Sequence, residues 1–196
     1  MNLNKMSDQE LIKQFQDGNQ QSIEVLISRH KNKVYTYILI LVKDSVLAED
    51  IFQDTFIKIV HSLSTGRYKD NGKFLSWTIR IAHNLTIDHF RKIKQNSEVK
   101  GESYENFILN SKKYSSDNVE DIIIKEQIRQ DVRALIDELP LEQKEVILLR
   151  HYGGLSFKEI AEQTDVSINT ALGRMRYALI NLRKLISEKN LNLSFS

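Results

Sequence analysis

Cysteine is absent from this 196-residue chain, and proline occurs once. Without thiols there is no disulfide framework and no thiolate metal site. One proline and seven glycines are too few for a turn-rich β fold. Apolar residues recur at helical spacing almost throughout, so the expected fold class is all-α. Long hydrophobic runs are also missing. The most apolar stretch, Val34 to Val42, is far shorter than the roughly 18 residues of a spanning helix. The first ten residues, MNLNKMSDQE, lack the apolar segment of a signal peptide. A cytoplasmic protein with no membrane insertion is expected. Charge of one sign is scarce as well, because the net charge is only +2. That value identifies no polyanionic partner, and the distribution of charge has to decide.

Ser7 and Glu10 form a capping box that opens a first helix ending near Gly18. A second helix is expected over Gln20 to Val42, with Ile23, Leu26, Ile27, Val34, Ile38 and Leu41 on one side. Asp44 is placed to cap a third, Ser45 to Leu63. Ser64 to Gly72 reads as a loop, and a fourth helix runs from about Lys73 to Gln95. Asn96 to Asn118 is polar, with Gly101, several serines and two tyrosines, and reads as a linker. A hydrophobic helix resumes at Val119 and ends before Pro140, and Leu141 to His151 forms another. The expected organisation is therefore two small helical domains, 1–95 and 119–190, joined by the linker 96–118. Residues 1–95 carry +4, whereas residues 119–196 carry −1. Within the latter, Ser167 to Lys189 holds five basic residues and one acidic. Basic charge concentrated on a terminal helix has the pattern of a DNA-reading element.

That last helix ends a helix-turn-helix pattern, LSFKEIAEQTDVSINTALGRMRYAL. Ser156 and Glu159 make a second capping box before a short helix, Phe157 to Gln163. Thr164, Asp165 and Val166 form a tight turn, and Ser167 caps the last helix, which reaches about Ser187. Ile160, Ala161, Val166, Ile168, Ala171, Met175 and Leu179 are the expected core of the pair. Such a pair places its second helix in the major groove. The candidate DNA face is Ser167, Asn169, Thr170, Gly173, Arg174, Arg176 and Tyr177. Asparagine can pair bidentately with adenine and arginine with guanine. Arg183 and Lys184 are suited to phosphates. The bland alternative is a solvated basic face on an ordinary helical hairpin.

Arg67 to Lys94 interleaves aromatic and basic residues. Lys73, Trp77, Arg80, Asn84, Asp88 and Arg91 follow helical spacing on one polar face, opposite Leu75, Ile79, Ala82 and Phe90. With the loop residues Tyr68, Lys69 and Asn71, they form a candidate surface for unstacked bases. One base stacked on an aromatic ring contributes ~1–3 kcal/mol. Phe74 and Phe90 read as core, and Trp77 fits either role. On the third helix, Val46, Leu47, Ile51, Phe52, Thr55, Ile59 and Val60 are suited to burial. Glu49, Asp50, Gln53 and Asp54 form an acidic stripe beside Phe56 and Ile57. Carboxylates four apart can share a cation, but no histidine falls in register. A docking face for a basic partner is the better reading. No metal, cofactor or small-molecule substrate is expected.

AEDIFQDTFIKI at residues 48–59 resembles the core-polymerase-binding helix of sigma factors. FLSWTIRIAHNLTIDHFRK at 74–92 resembles their promoter-melting and −10-reading helix, and residues 139–184 resemble their −35-reading domain. The matches lie in the family's order with no domain between them, which is similar to the extracytoplasmic-function group of the sigma-70 family. The resemblance implies a non-enzymatic factor for promoter-specific transcription initiation. Its implied partners are core RNA polymerase, promoter DNA and a protein anti-sigma factor. It places Glu49, Asp50, Gln53 and Asp54 against polymerase, residues 67–73 around a flipped −10 base, and Asn84 as a −10 reader. It places Trp77 and Arg80 behind the melted strand, Asn169 to Tyr177 in the −35 major groove, and the linker along the RNA exit path. One departure stands out: where members carry a basic residue two positions after the last helix's threonine, this chain has Leu172, followed by Gly173. Two other classes compete with this reading. A self-sufficient helix-turn-helix regulator would bind duplex DNA tightly without polymerase. A metal-dependent nuclease built on Glu49, Asp50 and Asp54 would cleave DNA.

Overall fold

The computed structural model describes residues 2–69, 71–100 and 132–191. Every regular element in them is helical, and the chain divides into two compact units, residues 1–112 and 113–196. The linker expected over 96–118 lies mostly outside the described residues, as do residues 119–131 of the following helix.

The first unit begins with a 3-10 turn, Leu3–Lys5, followed by α1 (Asp8–Gln16), α2 (Gln20–Val42), α3 (Ser45–Ser64) and α4 (Phe74–Lys100). Their boundaries follow local chemistry. The Ser7–Glu10 capping box is complete, with Glu10 accepting from the Ser7 amide at 2.7 Å. Asp44 accepts from the amides of both Val46 and Leu47, so only two residues separate α3 from α2. Lys43, in the left-handed region at φ 56°, makes that sharp turn possible. α4 continues five residues beyond the expected Gln95, since neither glycine nor proline interrupts 96–100.

α2 packs against α1, α3 and α4. Leu26, Val34, Tyr37 and Ile38 on α2 are fully buried, with Leu11, Ala48, Ile59, Leu63, Ile79 and Ala82 from the other three helices. Polar links tie these helices together. Asp8 receives a 2.6 Å ion pair from Arg29 and contacts His30 Nε2 at 2.7 Å, which fixes α1 to α2. The His30 ring lies 5.5 Å from that of Phe74 at the start of α4. Deeper in, Tyr37 and His83 Nδ1 are 2.8 Å apart and both buried. Burial pushes the His83 imidazole down to about 4. The ring is therefore neutral at neutral pH, and it shares one hydrogen bond with the Tyr37 hydroxyl through Nδ1.

The second unit holds α5 (132–137), α6 (Leu141–His151), α7 (Phe157–Gln163) and α8 (Ile168–Glu188). Its core is Leu135, Leu139, Val146, Leu148, Leu149, Leu155, Ile160, Ala161, Ala171 and Ala178. Buried Lys144 donates to the Asp137 carboxylate and main-chain carbonyl, joining α6 to the end of α5. Arg150 donates to the Leu155 carbonyl at 2.8 Å and sits 5.5 Å over the Phe157 ring, which fixes the entry to α7. Asn181 donates to Gln143 at 2.8 Å, holding α8 on α6.

Three burial expectations need correction. Ile168 and Leu179, assigned to the helix-turn-helix core, are 46% exposed each. The inward line of α8 runs through Ala171 and Ala178, seven residues apart, and Ile168 and Leu179 lie roughly a quarter-turn round the helix from it. Val46 on α3, also expected inside, is 72% exposed, whereas Phe56 is buried. The α3 core line is Ala48, Ile51, Thr55 and Ile59, and Val46 projects from the opposite side.

The His83 environment has a pH signature. Its imidazole binds a proton near 6.5 when unfolded and near 4 when folded. The unfolded state therefore holds more protons between those values, and stability is lost as pH falls through this window. Chemical denaturation of the full chain is expected to show a loss on the order of 3 kcal/mol between pH 6.5 and 4. The His83→Gln variant should show a flatter profile.

Candidate nucleic-acid interface

Three exposed faces carry the residues singled out from sequence. The first is on α3. Val46, Asp50, Gln53 and Ile57 recur at spacings of four, three and four, in one line along the helix, flanked by Glu49 and Asp54. All six are exposed. Gln53 donates to Glu49 at 3.3 Å along the surface. The stripe is acidic in the middle and apolar at both ends, because Val46 and Ile57 are 72% and 66% exposed. Ile57 was expected beside the stripe; the Val46 end was not, and Phe56, also expected there, is buried. Among the described residues no cluster of three or more acidic or histidine side chains is arranged to hold a metal ion.

The second face combines residues 67–69 and 71–73 with the exposed side of α4. Gly66, in the left-handed region at φ 66°, terminates the turn after α3, and the amides of Arg67 and Tyr68 then bond the Ser62 carbonyl. Tyr68 is only 8% exposed. Its ring lies 4.2 Å from that of Trp77 and 6.1 Å edge-on to that of Phe74, and Phe74 is 5.9 Å from Trp77. Tyr68 thus belongs to a pinned aromatic cluster and presents no free ring face. Trp77, half-buried, is the member that reaches the surface. Lys69, Asn71 and Lys73 are exposed. Asn71 Oδ1 accepts from the Lys73 amide at 3.2 Å, ordering the entry to α4.

Along α4, Asn84, Asp88 and Arg91 are exposed and Arg80 is half-buried. Asp88 and Arg91 form a 3.6 Å surface ion pair, of the kind that adds little stability. On the inward side Phe74, Thr78, Ile79, Ala82, His83 and Thr86 are buried, while Leu75 and Phe90 are half-buried. The buried polar trio gave no signal in sequence. Thr86 satisfies its hydroxyl on the Ala82 carbonyl, and His83 does so on Tyr37.

The third face is α8. The turn before it places Asp165 at φ 53°, a left-handed conformation that aspartate tolerates better than most residues. The Val166 amide closes the turn on the Ala161 carbonyl. Ser167 Oγ accepts from the Thr170 amide at 3.0 Å and lies 2.9 Å from the Thr170 hydroxyl. Ser167 and Thr170 are thus engaged in capping while still exposed. Asn169, Arg176 and Tyr177 are exposed, and Gly173 and Arg174 are half-buried. Arg174 lies near Glu145 on α6, a residue that sequence reasoning did not single out. Burial pushes the Glu145 carboxyl up to about 7; the Arg174 charge draws it down, and Glu142 raises it further. The signal available in sequence was an acidic residue inside the apolar run KEVILL.

No described helix is long and apolar enough to cross a membrane. A helix-turn-helix unit, with a second helical unit carrying a basic-aromatic face and an acidic face, defines a helical DNA-binding protein built for a protein partner. Comparison with known proteins narrows this class. The Sigma-70 region 2 family matches residues 26–96, and the Sigma-70 region 4 family matches residues 129–177. The sigma-H factor of Pseudomonas aeruginosa is 26% identical over 176 residues, covering 88% of this chain and 90% of that protein. The sigma-E factor of Escherichia coli is 28% identical over 174 residues, covering 87% and 90%. Among solved structures, a sigma factor RpoE bound to the anti-sigma factor NepR from Bartonella quintana aligns with a TM-score of 0.66. It shares 19% identity, over 85% of this chain and 98% of that one. CnrH in complex with the cytosolic domain of CnrY aligns with a TM-score of 0.60 and 21% identity, over 93% and 99%. The chain belongs to the sigma-70 family of RNA polymerase sigma factors, in its extracytoplasmic-function group. It is a factor for promoter-specific transcription initiation.

Glu145 yields a test of the α8 support. Its folded carboxyl titrates above the ordinary 4.5, so its contribution to stability is lost as pH rises through 4.5 to about 7. Glu145→Gln is expected to raise the thermal midpoint at pH 8 and to change it much less at pH 5, measured by calorimetry.

Proposed function

We propose that the three faces divide the work of initiation. The acidic α3 stripe, Glu49, Asp50, Gln53 and Asp54 with Val46 and Ile57 at its ends, docks on core RNA polymerase. Residues 67–73 and the exposed side of α4 hold the melted −10 strand. Trp77 supports an unstacked base, Asn84 reads a base edge, and Lys69, Lys73, Arg80 and Arg91 neutralise phosphates. α8 enters the −35 major groove with Asn169, Arg176 and Tyr177, while Arg183 and Lys184, both exposed, meet phosphates.

The observation that carries this reading is the sorting of α3 and α4 within one unit. Their buried lines face a shared core, leaving an exposed acidic stripe on one helix and an exposed cationic and aromatic face on the other. An acidic face repels DNA and suits a basic protein surface. Polymerase then holds the two DNA-reading units along one promoter, and tethering raises their effective concentration, so neither needs high affinity alone. The net charge of +2 fits that division. The chain catalyses no step; polymerase supplies the phosphodiester chemistry. It works in the cytoplasm, and a protein anti-sigma factor restrains it, as one binds the similarly folded RpoE of Bartonella quintana.

Trp77→Ala, which removes a stacking contact of ~1–3 kcal/mol, or Asn84→Ala, which removes a base-edge hydrogen-bond pair of ~1–3 kcal/mol, is expected to leave polymerase binding intact and to cut open-complex formation by tenfold or so. Permanganate footprinting and a polymerase pull-down measure the two. Equal loss of both activities would overturn the assignment. Replacing Asp50 and Asp54 together by Lys is expected to abolish polymerase binding while the variant keeps its fold, since both sites are exposed. Run-off transcription with core enzyme and a genomic promoter library tests the whole. A metal-free protein that binds duplex DNA tightly alone would favour a self-sufficient regulator instead.

A further inference from the structure

Leu172 and Gly173 sit side by side on α8 in a setting that the fold does not explain. Leu172 is 43% exposed. With Asn169 and Arg176, the two positions follow spacings of three, one and three residues, so all four lie on one side of the helix. Leu172 therefore borders the polar surface that the preceding reading turns toward DNA, in an exposed apolar row with Ile168 and Leu179. Gly173 is stranger still. It has no left-handed φ, unlike Gly18, Gly66, Gly72 and Gly154, so its backbone does not demand glycine. A Cβ built on it would meet nothing within 4 Å, so packing does not demand glycine either. Glycine is nonetheless the poorest helix former after proline. The open space above it leaves room for an object outside this chain to approach the backbone closely.

We propose that Leu172 and Gly173 form a recess for the 5-methyl group of one thymine in the −35 element. The proposal rests on the assignment of α8 to the −35 major groove and adds a base preference to it. The chemistry selects this ligand. Base edges in the major groove present donors, acceptors and one apolar group, the thymine methyl. Leucine has no donor or acceptor, so a base edge pressed against it loses hydrogen bonds to water unless that edge is apolar. The missing Cβ at 173 lets the base pair come close enough for contact with the Leu172 methyls. Asn169 and Arg176 on either side supply the polar pairs that set the register. The promoter so read combines an adenine, a guanine and a thymine contact.

The test uses the full chain with core RNA polymerase. Initiation is selected from templates randomised across the −35 element, and each thymine of the selected sequence is then replaced singly by deoxyuridine, which removes only the methyl. One position is expected to lose initiation about fourfold, the factor that one buried methylene-sized group supplies. Leu172→Ala should abolish that sensitivity. Gly173→Ala should fold with an equal or higher thermal midpoint and initiate less well on the thymine promoter. Should Asn169→Ala and Arg176→Ala impair initiation while no position responds to deoxyuridine, or while selection returns no thymine, the methyl recess is overturned and α8 still reads the promoter. If Asn169→Ala and Arg176→Ala initiate and select as the parent does, the α8 assignment fails, and the recess fails with it.

Discussion

Each working face of this protein exists because its helix buries a narrow line on the opposite side. A helix turns about 100° per residue, so a core contact made by one row of side chains leaves most of the circumference outside. On α8 that row is Ala171 and Ala178, both fully buried. Their small side chains let α8 lie close against its neighbours without presenting bulk to the core. Asn169, Leu172, Arg176 and Tyr177 must then point outward. On α3 the buried side, Ala48, Ile51, Thr55, Phe56, Ile59 and Leu63, does the same for the acidic stripe. Had either helix buried a broad apolar arc, fewer positions would remain for a partner.

Narrow rows provide little burial per helix, and polar contacts supplement them. The Asp8 carboxylate engages both Arg29 and His30, and the His30 ring abuts Phe74. A link from the first turn of α1 thereby reaches the helix that carries Trp77. Phe74, Tyr68 and Trp77 continue it to the surface. The surface at Trp77 is thus held in place by packing, and a preorganised surface loses less entropy when a ligand binds. In the second unit Lys144, Arg150 and Asn181 anchor α6 to α5, α7 and α8 by donating to fixed acceptors.

Much of this was legible in the chain itself. Ser7–Glu10, Asp44, Ser156–Glu159 and Ser167 announced four helix starts, and each side chain caps as expected. Caps are local hydrogen bonds between residues two or three apart, so sequence carries them almost whole. The exposed rank of Asn84, Asp88 and Arg91 was legible for a similar reason, since helical spacing alone assigns a face. Tyr68 was not. An aromatic residue in a basic loop is compatible with a base platform or with a buried prop, and only the arrival of Trp77 and Phe74 from the next helix makes it the prop.

The sequence by itself determined where four helices begin, which class of fold they build, and which family the chain joins, because caps, helical period and motif order are all written in neighbouring residues. Tertiary structure alone decided the rotation of each helix about its own axis. Val46 and Ile168 came out and Phe56 went in because the partner helices fixed which row faces the core. It also decided the charge states of His83 and Glu145, which burial moves to about 4 and about 7. Desolvation depends on atoms that come from distant parts of the chain, and no local pattern encodes it.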